Sequence, residues 1–128
     1  MTPIMDKISV FEAMKRDFYF VDSSVSIKEA ISKVRESQTK SVMIIENAKL
    51  VGFLSIENID VNSDLNAQVS TVMSKDVPTI KKSENIHIAL NILTHEPTGK
   101  LAVVDDNDPG IILGTIGFLE IADAYNRE

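Results

Sequence analysis

The chain repeats itself. Sliding its sequence by about 59 positions sets Met14, Asp17, Ile27, Ala30 and Thr39 on Met73, Asp76, Ile86, Ala89 and Thr98, a self-similarity that restricts the fold to two copies of one unit. A small insertion near residues 106–108 then changes the offset, after which Gly52 meets Gly114 and Ile59 meets Ile121. Isolated identities would be noise; their common order is not. Each copy has about 60 residues, too few to bury much core alone, so the copies are expected to pack face to face as one unit.

The same succession of elements reads out of each copy. In the first, the aromatic and β-branched run 18–21 predicts a strand. Ser26 with Glu29 three residues on is the pattern of a capping box and predicts a helix start. Ile27, Ala30, Ile31 and Val34 then fall on one helical face, with Lys28, Glu29, Lys33 and Arg35 on the wet side. That apolar face needs a sheet, and 42–45 and 50–54 supply it across the polar turn 46–49, before a last short helix at 57–61. In the second copy 77–80 predicts the first strand, and Ile86, Ala89, Leu90 and Leu93 repeat the stripe. Strands at 101–104 and 111–116 and a helix at 118–125 complete it. The unit is β-α-β-β-α, with repeats at 8–62 and 67–127 joined by a polar linker over 60–68.

Charge and composition exclude several function classes. A net charge of -6 and a pI near 4.9 leave no basic footprint for a nucleic-acid backbone, although a few local cations suffice for a free nucleotide. Without cysteine there is no disulfide framework, thiolate zinc site or cysteine nucleophile. Residues 1–10 mix Asp6 and Lys7 into a short apolar pattern unlike a signal peptide or membrane span, which places the protein in the cytoplasm. The acidic loop 105–110 fails an EF-hand pattern, with Pro109 and Ile116 where oxygen ligands belong, and reads as a turn. Gly110, Gly114 and Gly117 fit neither a dinucleotide fingerprint nor a phosphate loop, and His87 and His95 stand outside any catalytic or metal constellation. No enzyme, metal or required cofactor is expected.

Several stretches together resemble the paired cystathionine-β-synthase (CBS) domains of the Bateman module. They are Val69-Ser-Thr-Val-Met73 leading into Val77-Pro-Thr-Ile80, Leu101-Ala-Val-Val-Asp105, and the twin endings Val51-Gly-Phe-Leu-Ser-Ile-Glu-Asn-Ile59 and Leu113-Gly-Thr-Ile-Gly-Phe-Leu-Glu-Ile121. The resemblance implies an α/β (α+β) chain of two β-α-β-β-α CBS repeats packed about a pseudo-twofold axis, with two clefts for AMP, ADP, ATP or S-adenosylmethionine. It also implies a homodimer and a regulated protein partner that reads ligand occupancy. The alternative is a dimerisation or interaction scaffold whose clefts have lost their ligand.

The family ending Gly-x-x-Thr/Ser-x-x-Asp places a hydroxyl on phosphate and an aspartate on ribose. The first copy keeps the hydroxyl as Ser55 and has Asn58 for the acid; the second has Gly117 for the hydroxyl and Glu120 for the acid. The first copy therefore keeps more of the nucleotide chemistry. Ser55 and Asn58 serve either a ligand or simply the cap of a following helix. The resemblance sets Val77, Pro78 and Thr79 opposite them. Lys100 and Lys40 flank strands and contact phosphate or remain solvated, and Lys100 could instead pair with Glu120. Phe18 and Phe20 either stack on adenine or pack under a helix.

Overall fold

Ser9, Ser26 and Asn85 each open a helix in the same way, a side-chain oxygen accepting the backbone N–H three residues on, from Glu12, Glu29 and Ile88. A computed structural model describes residues 3–128; the reading of 1–10 as free of a signal includes Met1 and Thr2, which lie outside the described residues. In chain order the elements are α1 (Val10–Ala13), β1 (Phe20–Asp22), α2 (Ile27–Ser37), β2 (Ser41–Glu46), β3 (Lys49–Ser55), β4 (Thr79–Lys81), α3 (Ile86–Leu93), β5 (Lys100–Val104), β6 (Ile112–Gly117) and α4 (Phe118–Asn126). Short 3-10 turns lie at Ile4–Lys7, Ile56–Asn58 and Val69–Thr71. The fold is mixed α+β with two three-stranded sheets, β1-β2-β3 and β4-β5-β6.

The sheets are built alike. In each, the first strand runs parallel to the second across a helical crossover, and the second and third form an antiparallel hairpin. Each hairpin carries a register shift at an equivalent place, between Ile44 and Ile45 and between Val103 and Val104. Asn47 and Ala48 both take positive φ, 51° and 64°, to close the β2–β3 hairpin in two residues. Thr39 and Thr98, identical across the repeat, both bond the carbonyl two residues on and lead the chain into the second strand of their sheet.

Compact units in space do not follow the sequence repeats. Residues up to Phe18 fold together with Pro78–Glu128, and Tyr19–Val77 form the other unit. The segment that opens each repeat is thus built into the unit of the other. In the Tyr19–Val77 unit, Phe53 and Ser74 exchange two backbone hydrogen bonds of 2.9 Å, and Val69 is fully buried among Val21, Ala30, Val34, Val42, Ile44 and Leu54. In the other unit Lys15 and Thr115 make the equivalent exchange at 2.7 and 2.9 Å, and Val10 and Met14 enter a core with Ile86, Leu93, Leu101, Val103 and Ile116. Both seats require glycine. A Cβ on Gly52 would lie 2.7 Å from Ser74 O and 2.8 Å from Met73 Sδ, and one on Gly114 2.6 Å from Lys15 O and 2.8 Å from Met14 Sδ.

Several expectations change, and the strand expected at 18–21 runs Phe20–Asp22. Residues 57–61 are not a helix: only the turn Ile56–Asn58 forms, whereas its repeat counterpart is the nine-residue α4. Helix α4 buries Ile121 and Ala124, but Asn62 stands where Ala124 does. There Asp60 and Asp64 accept the backbone N–H groups of Asn62 and Asn66, local bonds that compete with a helix. Ser26 caps α2 with one arm only, its own backbone being bridged to Gln68. The strand expected at 77–80 begins at Thr79, because Pro78 has no N–H to give; its carbonyl accepts from Ala102 instead.

Candidate functional site

The residues singled out in the sequence gather at one end of each sheet. In the Tyr19–Val77 unit, Ser55 ends β3 opposite Ser41 of β2, and Ile56 N–H donates to the Lys40 carbonyl, which brings Lys40, Ser55, Glu57 and Asn58 to one corner. Ser55 is buried and occupies the N-cap of the turn Ile56–Asn58, yet its side chain makes no cap hydrogen bond. Capping does not account for it. Asn58 is exposed at the end of the same turn. Lys40 Nζ lies 3.5 Å from Glu57 Oε1, with both side chains largely in water, so the pair holds the ammonium only weakly. Val77 is half-buried at the end of this unit. Phe20 is 51% exposed, so it is not packed beneath a helix.

The equivalent corner of the other unit is arranged differently. Lys100 stands opposite Gly117 in the β5–β6 register, and Gly117 N–H donates to Glu120 Oε1 at 2.7 Å. Glu120 thereby supplies the returning arm of a capping box, from the third helical residue to the N-cap N–H, while Gly117 has no side chain to supply the other arm. Space for a side chain is absent as well: a Cβ at 117 would meet Gly99 O at 2.9 Å and Glu120 Oε1 at 3.4 Å. Burial holds the Lys100 ammonium below its ordinary pKa; the Glu120 charge opposes that shift and Lys15 adds to it. Thr79 is exposed at the start of β4, with Pro78 and Phe18 half-buried.

Lys15 escaped the sequence reading. Its backbone pairs with Thr115 and its charge bears on Lys100, so it belongs to the Gly117 corner. The signal was there in the repeat, since Lys15 matches Ser74, whose backbone makes the equivalent bridge to Phe53. Among the described residues no cluster of His, Cys, Asp and Glu could hold a metal ion, and no helix is long and apolar enough to cross a membrane.

The CBS domain family matches residues 10–60 and 69–127. An uncharacterized protein of Methanocaldococcus jannaschii is 32% identical over 111 residues, which cover 84% of this chain and 38% of that protein. Inosine-5'-monophosphate dehydrogenase of Nitrosopumilus maritimus is 31% identical over 99 residues, covering 77% of this chain and 20% of the enzyme. The chain therefore spans less than half the length of these curated relatives. Among solved structures, the CBS-pair protein CBSX2 from Arabidopsis thaliana superposes with a TM-score of 0.82 at 18% identity, over 94% of this chain and 95% of that one. CBSX2 in complex with AMP gives 0.78 at 19% identity, over 94% and 97% of the two chains. The CBS domain of a bacterial CNNM/CorC family Mg2+ transporter in complex with ATP gives 0.76 at 14% identity, over 97% and 91%. With two family matches set on two sheets of one construction, the chain belongs to the CBS domain family and is a tandem pair of CBS domains.

Proposed function

We propose that this CBS pair is a cytoplasmic regulatory module that binds an adenine nucleotide (AMP, ADP or ATP) or S-adenosylmethionine and transmits occupancy to a protein partner, without catalysing a reaction itself. Ser55 carries the reading. Ser55 is a buried residue at a strand end, it stands where the family pattern puts a phosphate-contacting group, and its hydroxyl makes no cap bond. Lys40 is a solvated cation at the same corner, paired with Glu57 in water, and Asn58 offers an amide able to accept from a ribose hydroxyl. Complexes of structural neighbours with AMP and with ATP support the ligand class. The family resemblance assigns Val77, Pro78 and Thr79 to the adenosine moiety, and half-buried Phe18 and exposed Phe20 are read as an adenine platform at the cleft of Lys100 and Glu120. Transmission needs only that the ligand favour one of two arrangements of the protein over the other.

Thermal-shift and calorimetric titration with each of the four ligands test the reading. At least one should stabilise the chain at millimolar concentration, and Ser55→Ala should weaken that ligand about tenfold, the worth of one hydrogen bond to a charged group. No stabilisation by any of them would sink it.

The second reading, an interaction scaffold with lost ligand chemistry, is favoured by the Gly117 corner, where Glu120 has taken the place of the hydroxyl. Under both readings we assign a homodimer, with the exposed Ile88 and Ile92 of α3 and Leu119 and Tyr125 of α4 as its apolar contacts. A monomer by sedimentation at high concentration would overturn that assignment.

A further inference from the structure

We propose that the Glu120 carboxylate is an internal anion that closes the β6–α4 corner to phosphate, leaving the Ser55 corner as the phosphate-taking one of the two. The first free donor at the entrance to α4 is Gly117 N–H, the kind of group an incoming phosphate would use. It is already bonded to Glu120 Oε1 at 2.7 Å. The volume beside it is filled from two sides, by Gly99 O and by the same carboxylate oxygen. Lys100, opposite Gly117 in the sheet, is half-buried and feels the Glu120 charge. A phosphate entering here would have to displace a carboxylate from its donor and then sit beside it.

The other corner has no such occupant. Asn58, neutral and exposed, stands where Glu120 stands in the repeat, and Ser55 leaves the turn uncapped. The Glu57 carboxylate there is turned to Lys40 in water. The difference between the corners is thus one fixed negative charge with its hydrogen bond, and it converts two equivalent positions into one. This inference rests on the nucleotide-binding reading for the Ser55 corner; the closure by Glu120 stands on its own geometry.

The test records amide spectra of the full chain and of Glu120→Gln and Glu120→Ala, titrated with AMP and separately with inorganic pyrophosphate. AMP should saturate at one per wild-type chain, moving the Ser55 signal and leaving that of Gly117. Pyrophosphate should move Gly117 in both variants, with an affinity at that corner about tenfold or more above wild type once the like charge is gone. Glu120→Gln retains the length needed to cap Gly117, which covers the case of an unfolded Glu120→Ala. Two AMP per wild-type chain with Gly117 moving, or a Gly117 response to pyrophosphate that is the same in all three proteins, overturns the proposal. If AMP moves neither signal, the nucleotide reading falls while pyrophosphate still decides the role of Glu120.

Discussion

Replacing Gly52 by alanine probes the seat that joins residues 69–77 to the first sheet. The new methyl would stand 2.7 Å from Ser74 O and 2.8 Å from Met73 Sδ. The thioether can swing aside, but the carbonyl cannot: it accepts from Phe53 N–H, and Ser74 N–H donates back to Phe53 O, each at 2.9 Å. Moving it far enough strains or breaks two hydrogen bonds of about 1 kcal/mol each. Overpacking the buried strand adds about 1–3 kcal/mol. With both bonds broken the expected loss is about 3–5 kcal/mol, a large part of the roughly 5–15 kcal/mol that holds an ordinary domain together. Equilibrium unfolding in urea reads it as a lower midpoint. Gly114→Ala should cost a similar amount, because Lys15 O and Met14 Sδ repeat the contact in the other unit. A change within about 0.5 kcal/mol of wild type in either variant would refute the argument, since that is the range of surface substitutions that touch nothing.

Met14→Ala should destabilise by about 2–4 kcal/mol and, in hydrogen exchange, loosen the amides of α3, β5 and β6 before those of β2 and β3, because Met14 packs in the unit of the second repeat. Lys100 is held below the ordinary lysine value of 10.5 by burial, so between its lowered pKa and 10.5 the unfolded chain binds more protons and stability rises with pH; Lys100→Met should remove that rise in alkaline unfolding curves. Ala48 holds φ 64° in the β2–β3 turn, and Ala48→Gly should gain about 0.5–1 kcal/mol in the same denaturation assay, a loss instead showing that the turn is not strained. Leu119→Asp should shift the sedimentation equilibrium toward monomer without lowering stability, Leu119 being 76% exposed.

Much of this architecture is legible in the sequence because the repeat doubles every weak signal. The stripe of Ile27, Ala30 and Val34 and its copy at Ile86, Ala89 and Leu93 place α2 and α3, and both sets are buried. The hairpins follow from two apolar runs around a polar turn. The exchange of opening segments was not legible, since periodicity within 8–18 or 69–77 says nothing about which sheet receives them. Gly52 and Gly114 match across the repeat, but nothing in the sequence says that Met73 and Met14 close on them. The missing helix at 57–61 could have been anticipated from Asp60, Asn62 and Asp64, whose side chains bond the backbone locally. At the candidate site, Ser55 and Lys100 are singled out by the family resemblance alone. Their contrasting situations depend on where one carboxylate folds, which the residue type Glu120 alone does not fix.

Calorimetric titration of AMP, ADP, ATP and S-adenosylmethionine into the wild-type chain and Ser55→Ala tests the central claim most directly. The account predicts saturable heat from at least one ligand at one per chain, weakened about tenfold in the variant. Absence of heat from all four, or equal affinity in the two proteins, would contradict it.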